Sequence, residues 1–314
     1  MPFHPAPYTL VYLQIQGDPI VTLTASRIEI TSTEAALGAI ITGVDASRSA
    51  QPEVILQLKQ AWRDRHILIF KNQTLTDDQL LAFANYFGDI LQQPAYIRKG
   101  ETEEYLPPLV LTLANAATQE SSVNIRPNYQ ELLPHIDHYW LPVPSSGSFL
   151  YAVEVPENGP DTYWVNLAQA YEELDDATKQ QIAGLQIRYF NFYGSKDQDE
   201  YGEPKYAAGR EVKPGERVAI HPLVRTHPDT GKKILFFNAA SDVDILDYDH
   251  VEGAKLIARL QEHIKQPRFA YRHQWSKGDL LYWDNQATSH YRPEFDANAT
   301  RVLKRVSLRG SRPF

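Results

Sequence analysis

The sequence contains no cysteine among its 314 residues. Disulfides, cysteine nucleophiles, iron–sulfur clusters and cysteine-based zinc sites are therefore excluded. A metal bound by this chain has to be held by histidine and carboxylate side chains, a ligand set that suits iron, manganese or zinc. Histidines and acidic residues are thus the side chains from which a metal site would be built.

Long apolar runs and an excess of positive charge are also missing. No run approaches the roughly 18 apolar residues of a membrane-spanning helix, and residues 1–7 lack the basic and apolar regions of a signal peptide. The formal net charge is −8, which argues against nucleic acid as the main partner because phosphate binding needs a basic footprint. We expect a cytoplasmic enzyme that acts on a small molecule and does not associate with a membrane. Its assembly state is open, a homo-oligomer included.

Short β-rich segments alternate along the chain with a few amphipathic helices. Alternating apolar positions predict strands at Thr24–Ile30 and Ala39–Val44, and the apolar run His66–Phe70 predicts a buried strand. Further strands are predicted at Ser148–Val155, Asp161–Val165, Phe269–Trp275, Asp279–Asp284 and Arg301–Arg309. Apolar stripes at helical spacing predict helices at Glu53–Arg65, Asp77–Phe87, Leu167–Leu174, Asp176–Leu185 and His250–Lys265. Turn residues at 227–231 favour a hairpin between Arg217–Arg225 and Lys233–Asn238. Together these elements predict a mainly β, α+β fold of the jelly-roll type, the cupin-like double-stranded β-helix.

No linker divides the sequence, so a single domain over residues 1–314 is expected. Residues 92–134 are rich in proline and predict an active-site loop. Residues 189–217 are rich in tyrosine, lysine, glycine and charge, and they predict a long insertion or lid. Tyr189, Tyr193 and Lys196 in this segment are candidate contacts of a bound ligand.

Two His-x-Asp pairs offer metal ligands, His135-Ile-Asp137 and His227-Pro-Asp229. Residues i and i+2 of a strand project to the same face, so such a pair can occupy two adjacent positions on a metal. Pro228 disfavours a central strand at the second pair, and Asp229 opens a turn. The first pair is therefore the better candidate, with a loop histidine and an aspartate cap as its ordinary structural alternative.

A second histidine would complete a 2-His-1-carboxylate triad, which leaves three metal positions open. The candidates are His66, His221, His250, His263, His273 and His290. His290 stands out because a buried strand ends at Asp284-Asn285, turns and then presents this histidine. Arg301 and Arg305 follow at a spacing that places both on one strand face. Two inward cations need anions because an unpaired buried charge is costly, and the alternative is a pair of surface arginines on an edge strand.

Several segments, taken in order, resemble one known family. They are Gly38–Asp45, Ile69–Gln73, Asp161–Trp164, His221–Gly231 and Gly278–Asn285 leading to His290. From about residue 36 to 310 the chain resembles the taurine/2-oxoglutarate dioxygenase family, which includes the 2,4-dichlorophenoxyacetate-degrading dioxygenases. The resemblance implies a jelly roll and an Fe(II) enzyme that uses 2-oxoglutarate and O2 to oxidise, by hydroxylation, a substrate C–H bond, with release of succinate and CO2.

The resemblance also assigns roles to residues of this sequence. His135, Asp137 and His290 match the iron ligands, which makes them the catalytic centre. Arg301 matches the arginine that grips the far carboxylate of 2-oxoglutarate, and Thr162 matches the hydroxyl that assists it. A guanidinium fork binds a carboxylate bidentately and a hydroxyl adds one donor, so both roles agree with their chemistry.

The resemblance places Arg305 where taurine-type members meet the acid group of the substrate. Around it the chain departs from that pattern: Gln93 stands where a substrate-binding histidine is usual, and Glu131 replaces an asparagine, while Tyr96 is kept. A small carboxylate or sulfonate other than taurine is therefore expected as substrate. Arg305 could instead pair with a protein carboxylate such as Glu131. Two other functions stay open, a zinc-dependent hydrolase or lyase on the same ligands and an inactive jelly-roll binding protein.

Overall fold

The computed structural model describes residues 28–97, 103–114, 131–157, 159–190, 206–212 and 218–314. Its strands are β1 Glu29–Ser32, β2 Ala39–Thr42, β3 Ile67–Phe70, β4 Tyr96–Ile97, β5 Glu104–Tyr105, β6 Leu111–Ala114, β7 Leu132–His135, β8 Gly147–Glu154, β9 Thr162–Asn166, β10 Gln186–Phe190, β11 Val218–Pro222, β12 Val224–Thr226, β13 Lys233–Leu235, β14 Val243–Ile245, β15 Ala270–His273, β16 Leu280–Asp284, β17 Thr288–Arg292 and β18 Val302–Leu308. Its α-helices are α1 Pro52–Arg65, α2 Asp77–Ala84, α3 Leu167–Glu172, α4 Asp176–Ile182 and α5 His250–Ile264.

Eleven of these strands form the two largest sheets, and the others form one three-stranded and two two-stranded sheets. The larger has the order β1-β2-β3-β16-β8-β18-β6, and the smaller has the order β15-β9-β17-β7. Strand β2 runs parallel to β3, whereas β3, β16, β8, β18 and β6 pair in antiparallel fashion. Sequence neighbours are thus often far apart in the sheets, which is the crossover pattern of a jelly roll rather than of a simple meander.

The central strands of the larger sheet are buried on both faces. In β16, Leu280 and Tyr282 belong to the cluster covered by α1 and α2, while Leu281 and Trp283 belong to the cluster between the two sheets. Trp283 approaches Trp164 of β9, with ring centroids 5.8 Å apart. Because alternate side chains of a strand point to opposite faces, the helical layer and the smaller sheet lie on opposite sides of β16.

Helix α2 begins as predicted and ends earlier than predicted. Thr76 and Gln79 form a reciprocal capping box at its start. The prediction ran to Phe87, but the helix ends at Ala84, and the ring of Phe87 packs against Phe149 and Tyr282 at 5.5 and 4.8 Å. This packing redirects the last predicted turn toward the core of the larger sheet.

The structure differs from the predicted loop and strand boundaries in three places. Within residues 92–134 lie β4, β5 and β6, and Leu111 and Ala114 of β6 are buried where β6 pairs with β18. Strand β1 extends to Ser32, beyond the predicted end at Ile30, and residues 24–27 lie outside the described part of the chain. The predicted hairpin is confirmed for β12 and β13, but β11 pairs with β10 instead.

The structure contradicts the predicted ligand contact of one residue in the lid segment, Tyr189. Tyr189 lies in β10 and is fully buried, and its hydroxyl donates to the carbonyl oxygen of Phe236 at 2.8 Å. Its ring therefore stabilises the core beneath α5 and does not contact a ligand from a lid. Tyr193 and Lys196 lie outside the described residues. Among the helices described, none combines the length and the apolar character that a membrane crossing requires.

A buried carboxylate ties three distant segments together at the end of β16. Asp284 Oδ2 lies 3.1 Å from His66 Nδ1 and 2.9 Å from His227 Nε2, and all three residues are buried. The amide of Asp229 donates to His227 Nδ1 at 3.2 Å, so Nε2 carries the proton that faces Asp284. Burial by itself raises the pKa of Asp284, but its bonds to His227 and His66 outweigh burial and hold the pKa well below the usual range. The second His-x-Asp pair is therefore structural.

Asp284→Asn should lower the free energy of unfolding by roughly 3 kcal/mol, because it removes a buried charge that two imidazoles need as partner. The carboxylate pKa is depressed in the folded state, so its contribution is present above the unfolded pKa of about 3.9 and is lost as the pH falls below it. Urea unfolding of variant and wild type should therefore differ most near neutral pH. Glu262→Gln, an exposed change on α5, is the control. Equal effects of the two changes would contradict this account.

Candidate metal centre

His135 and His290 face each other across neighbouring strands of the smaller sheet. They form a cross-strand pair between β7 and β17, and their ring centroids are 4.1 Å apart. His135 Nε2 lies 3.9 Å from Asp137 Oδ1. One ligand atom from each of these three residues lies within 4.8 Å of the other two. Two imidazoles and one carboxylate thus surround a space in which a single ion can contact all three groups.

Both imidazoles are in the protonation state that metal binding requires. His135 Nδ1 lies 2.8 Å from the carbonyl oxygen of Leu133, so Nδ1 donates there and Nε2 keeps its lone pair for a ligand. Nδ1 of His290 is buried and has no hydrogen-bond partner among the described residues. Burial, followed by the charge of His135, lowers the pKa of His290 to about 3, and burial also lowers the pKa of His135. Both rings are neutral at neutral pH, as metal ligands must be.

Asp137 reaches the centre from a turn. Strand β7 ends at His135, and Asp137 begins the following turn, so the strand-spacing argument for this pair was wrong. The amide of Asp137 donates to Asn285 Oδ1 at 2.9 Å, and Asn285 Nδ2 donates back to the carbonyl oxygen of Asp137 at 2.8 Å. Asn285 Nδ2 also donates to the carbonyl oxygen of Ser145 at 3.1 Å. One buried amide side chain therefore fixes the backbone of the ligand carboxylate.

The guanidinium of Arg305 lies against the ligand carboxylate. Its Nη1 is 3.0 Å from Oδ1 and 3.1 Å from Oδ2 of Asp137. Burial raises the pKa of Asp137, but the charge of Arg305 outweighs it and keeps this pKa well below the usual range. Arg305 does contact a protein carboxylate, but that carboxylate is Asp137, whereas Glu131 is exposed at the start of β7. A charged Asp137 is the form that binds a metal.

Arg301 and Thr162 are both buried. Arg301 precedes β18, and the pairing of β18 with β8 shifts register between Val302 and Leu303, so strand alternation does not decide where Arg301 points. Burial and then the charge of Arg292 lower the pKa of Arg301 to about 9. The Oγ1 of Thr162 accepts a hydrogen bond from Trp275 Nε1 at 2.8 Å, which leaves the hydroxyl hydrogen for an acceptor.

The remaining predicted contacts are placed only in part. Gln93 is half-buried, and its carbonyl oxygen accepts from Gln92 Nε2 at 3.3 Å. The backbone of Tyr96 lies in β4, but its side chain is outside the described part, as is the whole of Lys196. The sequence analysis assigned no role to Asn285 or to Arg292. Asn285 follows the buried end of β16, and Arg292 shares the strand face of His290 at i+2, which is the signal that could have found it.

The comparisons with known proteins give the class of this site. The model of the taurine catabolism dioxygenase TauD, TfdA family matches residues 29–307. The chain belongs to this family, and it is accordingly a dioxygenase of the oxidoreductase class. The jelly-roll fold predicted from the strand pattern is confirmed by the same relationship.

Relatives match along most of their own length. An alpha-ketoglutarate-dependent 2,4-dichlorophenoxyacetate dioxygenase of Cupriavidus pinatubonensis (strain JMP 134 / LMG 1197) is 29% identical over 304 residues, 94% of this chain and 98% of the relative. An alpha-ketoglutarate-dependent sulfate ester dioxygenase of Pseudomonas putida is 27% identical over 296 residues, 92% of either chain. The solved structure of a taurine dioxygenase from Burkholderia xenovorans has a TM-score of 0.70 at 29% identity, and the match covers 91% of this chain and 92% of that one. Such relatives imply that the family uses 2-oxoglutarate (alpha-ketoglutarate) and a metal.

His290→Ala, Asp137→Ala and His135→Ala should each weaken metal binding by roughly 100-fold or more, because each removes one of three protein bonds to the ion. The measurement is iron content after anaerobic reconstitution, with thermal unfolding of the metal-free protein as a check on folding. His250→Ala, an exposed histidine at the start of α5, is the matched control and should bind like wild type. Wild-type iron content in His290→Ala would assign the third ligand to another residue.

Proposed function

We propose that the protein is an Fe(II)- and 2-oxoglutarate-dependent dioxygenase that hydroxylates a C–H bond of a small, acid-bearing metabolite and releases succinate and CO2. The observation that carries this proposal is the convergence of His135, Asp137 and His290 within 4.8 Å, with Arg305 held directly against the ligand carboxylate. A facial arrangement of two histidines and one carboxylate leaves positions for a chelating 2-oxo acid and for O2.

Fe(II) bound at this triad would supply the redox chemistry with O2, and the chain's own residues supply position and charge. Asn285 holds the backbone of Asp137, and Leu133 orients His135 through its carbonyl oxygen. Arg301 binds the far carboxylate of 2-oxoglutarate, and the Thr162 hydroxyl donates one further hydrogen bond to it. The buried rings of Trp164 and Trp283, 6.2 and 5.1 Å from the His290 ring, exclude water from that side of the ligand.

The acid group of the substrate is assigned to Arg305. Its side chain is 17% exposed, so a second anion can approach the guanidinium while Asp137 contacts Nη1. Relatives named for a phenoxyacetate, a sulfate ester and taurine act on a carboxylate, a sulfate and a sulfonate, which supports an anionic substrate for this chain as well. A zinc-dependent hydrolase on the same ligands would neither consume O2 nor release succinate.

Arg301→Gln should raise the 2-oxoglutarate concentration needed for half-maximal succinate release by about 10- to 150-fold, since it removes a charge-assisted bond worth roughly 1.5–3 kcal/mol. Iron content should change little, because Arg301 is not a metal ligand. The measurement is succinate release against 2-oxoglutarate concentration, and Arg309→Gln, an exposed arginine beyond β18, is the control. An unchanged requirement in Arg301→Gln would assign the far carboxylate to another cation.

Wild-type enzyme should couple O2 uptake to succinate release best with small carboxylic or sulfonic acids, and poorly with their acid-free analogues. Arg305→Ala should raise the KM for the acid substrate while uncoupled decay of 2-oxoglutarate continues, because the acid group loses its cation and the cosubstrate keeps Arg301. Iron content is measured in parallel because Arg305 also contacts Asp137. Equal turnover of acids and acid-free analogues by wild type would refute this assignment.

A further inference from the structure

A further arginine is buried on the inner face of the smaller sheet, close in sequence to the metal ligand His290. Arg292 is the last residue of β17, two positions after His290, and is only 2% exposed. Its pairing register with β7 shifts because β7 carries the extra residue, whereas β17 pairs with β9 without interruption from Thr288 to Tyr291. Alternation along β17 therefore holds, and Arg292 projects to the same face as His290.

The residue between them confirms this direction. The ring of Tyr291 stacks on Tyr163 with centroids 4.7 Å apart, while the His290 ring lies against Trp164 and Trp283 in the interior. Tyr291 thus occupies the outer face of the sheet. The inner face carries His290 and, one strand repeat further on, Arg292.

Arg292 and Arg301 both lie near the ring of Phe295. The guanidinium carbon of Arg292 lies 4.7 Å from the centroid of Phe295, and that of Arg301 lies 6.0 Å from the same centroid. After burial, the charge of Arg292 is the next cause that lowers the pKa of Arg301. The two guanidiniums are therefore near enough for the charge of one to act on the other.

Two buried guanidiniums near one ring repel each other, and an anion that contacts both lowers this repulsion. A carboxylate has two oxygens and about four acceptor sites, so it can accept from two guanidinium forks at once. Arg292 Nη1 donates to the carbonyl oxygen of Pro293 at 2.7 Å, which holds its plane beside Phe295. This anchoring reduces the side-chain entropy lost when a ligand binds.

We propose that Arg292 is a second arginine of the 2-oxo acid pocket, that it binds the far carboxylate of 2-oxoglutarate together with Arg301, and that it makes the pocket selective for a dicarboxylate over a 2-oxo monocarboxylate. This inference rests on the proposed function, because it needs 2-oxoglutarate to chelate a metal at the triad. It assigns Arg292 a role in binding and selectivity, whereas a purely structural role would leave 2-oxo acid affinity unchanged.

The test is calorimetric binding of 2-oxoglutarate and of 2-oxobutyrate to the Mn(II)-loaded full-length protein, so that no turnover is needed. Arg292→Met should weaken 2-oxoglutarate binding by about 10- to 150-fold, the loss expected for one charge-assisted bond. Binding of 2-oxobutyrate, which has no far carboxylate, should change less than threefold or so. Mn(II) affinity should stay at the wild-type value.

The control is Arg268→Met, because Arg268 also lies over a phenylalanine ring, at 4.6 Å from the Phe269 centroid, but is exposed and pairs with Glu173. Arg292→Lys tests the same idea if the methionine variant does not fold. It keeps the charge and loses the fork, so it should bind 2-oxoglutarate more weakly than wild type and discriminate less between the two acids.

The outcomes separate this inference from the proposed function. Wild-type affinity for 2-oxoglutarate in Arg292→Met would overturn the role of Arg292. If only Arg292→Lys folds, wild-type affinity in that variant would overturn it. Weakened 2-oxoglutarate binding in Arg301→Gln would at the same time leave the proposed function standing. Failure of the Mn(II)-loaded wild-type protein to bind 2-oxoglutarate would overturn both. Equal weakening of 2-oxoglutarate and 2-oxobutyrate would overturn the selectivity claim, because it would mean a general loss of the pocket.

Discussion

The site depends first on the register between β7 and β17. This register puts His135 directly opposite His290, and a slip by one residue would turn His290 to the outer face where Tyr291 now lies. The larger sheet fixes β17 indirectly, since Trp283 of β16 packs against the His290 ring. The convergence of the three side chains is therefore a property of sheet packing.

Three arginines and one carboxylate determine the charge around the triad. Arg305 contacts the carboxylate of Asp137 directly, and Arg301 and Arg292 are both buried. The neutral imidazoles add no charge. Because most of these cations are buried, the interior attracts small anions and disfavours neutral or cationic ligands. Under the proposed function, the same electrostatic field would select both the cosubstrate and the substrate.

Sequence patterns predicted the parts of this protein that local physics determines. The alternating strands, the capping box at Thr76 and the order of family-like segments predicted the fold class, and they pointed to the three residues that converge in the structure. What depends on long-range packing was not predicted. The turn that carries Asp137 is fixed by Asn285, 148 residues away in the chain, and Tyr189 looked like a lid residue because its amphipathic ring suits a core and a surface equally. Prolines around β6 hid an edge strand that only its pairing with β18 stabilises.

Asp284 and Asn285 are neighbours in sequence, but they serve different parts of the molecule. Asp284 joins the end of α1 and the β12–β13 turn to the core, and Asn285 fixes the backbone of a metal ligand. This short stretch therefore has little freedom to change, whichever molecule is oxidised. Gln93 and Glu131, in contrast, lie outside both sheet cores. Under the proposed function, a lineage with this architecture could exchange its substrates by remodelling those outer segments while the triad and the residues that support it stay the same.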